Sequence, residues 1–514
     1  YFSASAVNSK GMIPNNNYNR YNFTFRNTTS FLQDKMTLDV SSSYIKQNDR
    51  NMVNQGTYSN PLVTAYLFPR GNDWNDIKMY ERYDVTRKIN TQYWPESMFS
   101  GMTGQNPYWI AYRNLRENDK DRYMLSASLN YKILDWLSVS GRVRMDNSTT
   151  DYTKKLYATS NKTLTEESNN GLYGIFKTTD KQTYADIMVN VNKNFGETFS
   201  LGASYSDMKQ DVFQNEGPIS NSGIPNVFNV FQLDDVKTRR YQYGYHDQTQ
   251  SIFASAELGY KSTYYLTLTG RTDWPSQLAG PNSVKSAFFY PSIGGSVILS
   301  EIIPMPEQIS FLKLRASFAS VGLPFAHFLA NPTYEWDQTN KVWTTKTNYP
   351  MYDLKPEKTD SWELGITAKF LKNFSLDLGL YTTKTYNQTF DPGISPSSGY
   401  STMYVQTGSV RNKGIELSLG YHNTWNNNFS WSSNFTFSAN KNEILELMEN
   451  YENPITHEKI TLERLDVGGL GYARFVLKKG GSLGDLYSTA KLQQDNNGNI
   501  FVNANGEVIS NTKA

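Results

Sequence analysis

The chain has 514 residues, 14% of them aromatic and 38% hydrophobic, and its 50 basic and 48 acidic residues leave a formal net charge of +2. So many aromatics argue against a disordered chain, and no run approaches the roughly 18 apolar residues that a membrane-crossing helix needs. The charges form no basic stripe for nucleic acid, and the absence of cysteine removes thiol chemistry and fits an exported envelope protein.

A soluble chain of this length should divide into domains joined by linkers, yet the composition is nearly uniform from end to end. Period-two alternation recurs throughout. It is plain at Leu137–Met145, where Ser and Arg alternate with apolar residues or Gly, and again at Lys313–Phe318, Ser375–Leu380, Gly414–Tyr421 and Phe429–Ser438. Successive strand side chains point to opposite faces, so each segment has one apolar and one polar face. Many of these strands read as about 9–12 residues, near the length that crosses a bilayer at a tilt.

In chain order, an opening strand at 1–7 is followed by seven hairpins between 18 and 440, about fifteen strands in all. Short turns are expected at Phe31–Lys35, Lys132–Trp136, Lys193–Glu197, Tyr260–Thr263, Leu371–Asn373 and Asn423–Asn428, with a longer one at Ser300–Gln308. Between them lie polar stretches at 47–120, 147–181, 209–248, 273–287, 321–357 and 387–404, and 441–514 reads as a long loop with a hairpin around Asp495–Gly498. Short turns alternating with long loops are the layout of an outer-membrane barrel. The expected fold is therefore all-β, a transmembrane antiparallel β-barrel with long extracellular loops and short periplasmic turns. Its polar lumen wall would include Arg142, Arg144, Arg315, Glu363, Asp377 and Glu416.

Sites for chemistry are scarce. His246, His327, His422 and His457 lack the spacing of a zinc site, and structural roles suit them better. No nucleophile elbow or phosphate-binding loop occurs. Asp495–Asn499 places Gly498 too early for a calcium loop, and an Asn-Gly turn fits it better. The reading is of no enzyme, no metal and no cofactor. Six tryptophans, Trp74, Trp94, Trp109, Trp274, Trp336 and Trp343, fall in or beside expected extracellular segments. They are candidate ligand contacts, since aromatic faces pack on sugar rings; packing between loops or an interfacial girdle is the competing reading. Tyr260, Tyr264, Tyr421 and Trp431 lie beside short turns and read as periplasmic girdle residues.

Several blocks then resemble a known family. They are Asn106-Pro107-Tyr108-Trp109 with Asn114 and the strand from Arg122; Leu268–Ser276 with Arg271, Asp273, Pro275 and Ser276; and Tyr290-Pro291-Ser292 followed by Leu312–Ser317. More specific are Lys355–Thr359 with Trp362-Glu363-Leu364-Gly365, and Gly408–Leu417. In this order they resemble the SusC/RagA-type TonB-dependent outer-membrane transporters; Pro275 stands where that family usually has Ser. The resemblance implies a barrel of about 22 strands, of which residues 1–514 supply a central portion of a single barrel domain, without the N-terminal plug and the closing strands. It also implies import of oligosaccharides or other bulky nutrients, peptides included, across the outer membrane of a Gram-negative bacterium. A SusD-like surface lipoprotein and the TonB complex would be the partners, and outer-membrane lipid the surroundings. A passive porin or a surface adhesin barrel is the alternative.

Overall fold

The computed structural model describes residues 1–514 except 53, 94–103, 194–195, 279–286, 324–325, 330–333, 338–339, 346–347, 350–354, 395–398, 426–428, 454–456, 471 and 512–514. Fifteen strands form one sheet in which each pairs with the next along the chain. Numbered in that order they are β1 (Phe2–Lys10), β2 (Asn17–Phe31), β3 (Met36–Arg50), β4 (Asn114–Leu134), β5 (Leu137–Tyr157), β6 (Gly171–Lys193), β7 (Glu197–Pro218) and β8 (Arg239–Tyr260). There follow β9 (Tyr264–Pro275), β10 (Phe288–Ile298), β11 (Ile309–Leu323), β12 (Glu357–Phe370), β13 (Phe374–Phe390), β14 (Val405–Trp425) and β15 (Phe429–Glu446). The ladders from β1 to β5 and from β9 to β15 are antiparallel. The strand count agrees with the sequence reading, as do the short turns at Phe31–Lys35, Lys132–Trp136, Tyr260–Thr263 and Leu371–Asn373; the expected turns at Lys193–Glu197 and Asn423–Asn428 include residues outside the described ones.

Strand length does not. The strands run from 9 to 23 residues, and β4 to β8 all exceed 20. Alternation fades where a strand leaves the bilayer and both faces turn polar, although the hydrogen-bonded ladder continues. Nearly two-thirds of the stretch read as loop 147–181 is therefore strand, β5 continuing to Tyr157 and β6 starting at Gly171. The tail is likewise more ordered than a loop: Met448–Glu452 pairs with Lys459–Leu462, and Arg464–Leu470, Ala473–Lys478 and Leu486–Ser488 form a small sheet.

Two short turns share one backbone device. Lys261 and Ser262 have φ of 51° and 52°, and Leu371 and Lys372 have 50° and 64°. Two consecutive positive φ values mark the tight hairpin turn whose twist matches the flanking strands.

The chain divides into two compact units: residues 1–189, 203–250 and 334–344, and residues 190–202, 251–333 and 345–514. In the first, helices α1 (Pro61–Leu67) and α2 (Pro107–Arg113) begin alike. Asn60 and Asn106 accept from the backbone N–H two residues on, and a proline occupies the first turn. Trp109 of α2 is fully buried among the loops. In the second unit, Met403, Val405 and Met448 make one small apolar cluster, and Val410, Ile444 and Leu447 another.

Candidate functional site

The largest functional surface is a face of the sheet. In the second unit the ladders align Tyr264, Val297, Leu314, Ile366, Leu378, Leu417 and Phe437 in one cross-strand row. The next row toward the loops holds Leu266, Gly295, Ala316, Leu364, Leu380, Ile415 and Ala439. Many of these side chains are open to the surroundings: Leu364 is 61% exposed and Phe437 49%, and Trp362 in the row beyond is 60% exposed. A soluble monomer does not leave so large a contiguous apolar surface to water.

The opposite face is polar. There Arg315 grips Asp377 at 2.8 Å with Thr367 on the same carboxylate, and Glu363 and Glu416 share the face. The first unit repeats the division. Phe25, Ser42, Leu125 and Met145 align on one face, as do Val40, Ala127 and Val143, while Arg142 and Arg144 point the other way. Arg142 reaches Asp186 at 2.7 Å, and Arg122 reaches Asp146 at 2.8 Å.

The apolar stripe of β4 runs from Tyr123 to Ile133. That is about 34 Å of strand, or about 26 Å at a tilt of about 40°, close to the apolar band of an outer-membrane barrel. In the second unit aromatics stand at both ends of the apolar rows. Near the short turns Phe370 stacks on Phe374, which meets Tyr421; Tyr260 faces Tyr264, and Trp431 is 54% exposed. At the loop end Trp362 packs on Phe318 with centroids 4.7 Å apart. Beyond the stripe the same face becomes charged. Lys46 pairs with Asp119 and Asp121, and His246 lies 2.9 Å from Asp207. These polar rims escaped the sequence reading, although a charge at an outward position just past an aromatic is a legible signal.

The candidate ligand aromatics have different fates. Trp109 has no exposed surface, and its indole N–H donates to Ser160 Oγ at 2.9 Å, so it packs the loops together. Trp274 shares the apolar face of β9 with Leu266 and Leu268. Trp74 donates to Tyr108 Oη at 3.1 Å and packs edge-on against Phe68. Trp336 and Trp343 meet edge-to-face at 5.4 Å in a small hairpin, with Trp343 67% exposed. Trp94 lies outside the described residues.

Around these aromatics the first unit's loops are cross-braced. Asn106 donates to the carbonyls of Ile77 and Tyr93; Gln105 donates to Tyr58 O and accepts from the Asn161 N–H; Ser168 donates to Ile219 O. Arg113 makes a two-pronged pair with Glu81, and those hydrogen bonds hold its guanidinium more firmly protonated than usual. Burial pushes the neighbouring Tyr80 hydroxyl up. Among the described residues, no group of three or more His, Asp or Glu could hold a metal ion.

An apolar outward stripe of bilayer height, backed by a polar face and bounded by aromatics, defines an outer-membrane β-sheet protein. The sequence profile of the family described as "TonB dependent receptor-like, beta-barrel" matches residues 71–509, and the chain belongs to that family. The resemblance read from its motifs thus holds at the level of family and fold, and the family is one of the Gram-negative outer membrane. Two relatives from Formosa agariphila, TonB-dependent receptor P26 and TonB-dependent receptor P3, are each 27% identical to it. The alignments cover 87% and 78% of this chain but 44% and 42% of those proteins, so the chain spans less than half their length. The fold is similar to the RagAB peptide importer in its 'closed-closed' state, with a TM-score of 0.69 and 15% identity over 100% of this chain and 56% of that one. It is also similar to the ferric-catecholate import receptor Fiu from E. coli, at 0.53 and 13% over 89% and 62%.

Proposed function

We propose that residues 1–514 are part of the single barrel domain of an active importer that carries bulky nutrients, oligosaccharides or peptides, across the outer membrane. The observation that carries this reading is the division of the sheet into a lipid-facing apolar belt and a polar, charge-paired face. A polar interior passes a hydrated solute, and a barrel of the family's width needs a plug so as not to leak. Energy coupling would run through such a plug to the TonB complex, and a SusD-like lipoprotein would close over the loops. Trp74, Trp94, Trp336 and Trp343 are the aromatics proposed for ligand contact, and glycan ranks ahead of peptide by analogy with the SusC/RagA-type family that the motifs resemble.

The test is growth of a deletion strain on a panel of purified glycans and oligopeptides, with and without a functional TonB complex. Loss of growth on one substrate class, reproduced by removing TonB, supports the reading. Uptake that persists without TonB, together with liposome swelling by the whole protein, favours a passive porin instead. A deletion strain that grows normally on every substrate but no longer attaches to surfaces points to an adhesin.

A further inference from the structure

Strand β8 opens with Arg239-Arg240-Tyr241-Gln242-Tyr243-Gly244-Tyr245, so a tyrosine recurs at every second position. That spacing puts all three on one face, and the contacts of the strand show which. Arg239 reaches the Glu216 carboxylate at 3.4 Å, and Lys154 holds its other oxygen at 2.6 Å. Lys154 stands on β5 an even number of residues from Arg142, on the polar face. His246 meets Asp207 on the opposite face, so the alternation holds from Arg239 to His246. Tyr241, Tyr243 and Tyr245 therefore line the polar face. They lie far from either edge, since β8 has seven strands on each side of it in the sheet.

Their height follows from Asp180. It accepts from Ser148 Oγ at 3.3 Å and from Gln210 Nε2 at 2.8 Å, and Tyr245 stands near it. Ser148 pairs with Arg122, one residue from Tyr123, where the apolar stripe of β4 ends. Tyr245 is thus level with the loop end of the belt, and Tyr243 and Tyr241 climb from there toward the loops. The three positions span about 14 Å of strand.

The rings are open. Tyr243 is 57% exposed, and Tyr241 and Tyr245 are half-buried. Among the described residues the hydroxyls of Tyr241 and Tyr243 have no hydrogen-bond partner. A tyrosine that only packs a wall buries its ring and ties up its hydroxyl. Polar groups flank the row: Gln214, which donates to Glu216 at 3.4 Å, near its upper end, and Gln210 with Asp180 at its lower end. Arg239 at the top is neutralised, with Glu166 at 2.5 Å and Glu216 at 3.4 Å.

We propose that Tyr241, Tyr243 and Tyr245 form a rail that seats the successive rings of a neutral oligosaccharide arriving from the loop side. Aromatic faces take the apolar faces of sugar rings, and the amides, the Asp180 carboxylate and the phenol hydroxyls exchange hydrogen bonds with the sugar hydroxyls. An acidic chain would be repelled by Asp180 and by Asp247, two residues past Tyr245 on the same face. Identical rings at a fixed step suit a chain of like units. A peptide presents side chains that differ from one position to the next and needs differing pockets or a free strand edge, and β8 is paired on both edges. The rail rests on the importer reading and adds to it the class of solute and a contact surface on the wall.

The test is calorimetric titration of the full-length protein in nanodiscs. The probes are neutral cello-, malto- and xylo-oligosaccharides of increasing length, and mixed oligopeptides of matching mass. At least one sugar series should bind, more tightly with each added unit until the chain spans the three rings. Tyr241→Ala with Tyr243→Ala should weaken that binding about tenfold, the loss of two ring contacts, and flatten its dependence on length. Tyr241→Phe with Tyr243→Phe keeps the rings and should stay within about threefold of the unaltered protein. Tyr123→Ala, on the lipid face of β4, should change nothing. All three variants should remain heat-modifiable on gels, as a folded barrel is. Sugar binding by the alanine variant within about twofold of the unaltered protein would overturn the rail. So would an affinity of the unaltered protein that is independent of chain length, binding of the peptides alone, or binding of neither class. The importer reading falls separately, on a deletion strain that grows normally on every substrate.

Discussion

At the scale of single residues, the same amino acid does different work according to the face it occupies. Gly414 and Gly379 both lie on the polar face, on strands β14 and β13. A Cβ at Gly414 would sit 2.4 Å from the ring of Tyr381, whose hydroxyl reaches Asn440. A Cβ at Gly379 would meet nothing within 4 Å. Gly414→Ala should therefore cost about 1–3 kcal/mol through the displaced ring, and Gly379→Ala should stay within about 0.5 kcal/mol. Urea unfolding of the full-length protein in lipid vesicles measures both, and equal effects would contradict the packing described. Trp109 is the other extreme, a fully buried side chain of the short helix α2. Trp109→Ala should cost about 3–5 kcal/mol of local stability and expose the braced residues 54–93 and 104–113 to protease while the strands remain protected. Unchanged cleavage would mean that the loops do not depend on it.

At the scale of the element, neighbouring positions of one strand should answer oppositely to the same substitution. Leu417 of β14 lies mid-belt between Leu378 and Phe437, and Glu416 lies on the polar face opposite Gly379. Leu417→Arg should destabilise the protein by about 2–4 kcal/mol in a bilayer, and Glu416→Arg by much less, because only the first puts a charge into hydrocarbon. A strand immersed in water on both sides would show no such gap. Alternation of this kind made the strands legible in the sequence, and the short turns were legible as breaks in it. The ends of the strands were not. In β4, Glu117 to Asp121 carries charge at nearly every position, so period two disappears although β3 and β5 still pair with it in register. The turns at Lys261-Ser262 and Leu371-Lys372 lack the usual Asn-Gly or Asp-Gly, and only their positions between apolar runs gave them away.

At the scale of the whole molecule, the family was legible because its motifs stand at strand entries in a fixed order, whereas the ligand site was not. Aromatic residues serve loops, girdles and ligands alike, and only three-dimensional placement separates them. It sent Trp109 into the packed core of the loops and Trp274 to the apolar face, leaving Trp74, Trp336 and Trp343 among the described residues. Replacing Trp343 with Ala, an exposed change that should leave folding within about 0.5 kcal/mol, should weaken uptake of the transported solute without altering the amount of protein in the membrane. Uptake kinetics in whole cells check it, and unchanged kinetics would remove Trp343 from the ligand surface.

The central claim is that one face of the sheet meets lipid and the other water. Residues 1–514 have no cysteine, so single cysteines can be placed one at a time along β4 from Arg122 to Ile133, in the full-length protein with any cysteine elsewhere replaced by serine. Each is labelled with a polarity-sensitive fluorophore and exposed to brominated lipid and to a water-soluble quencher. Lipid should quench positions 123, 125, 127, 129, 131 and 133 and water the positions between them. Quenching without a period of two, or the same strand wetted on both faces, would contradict the account.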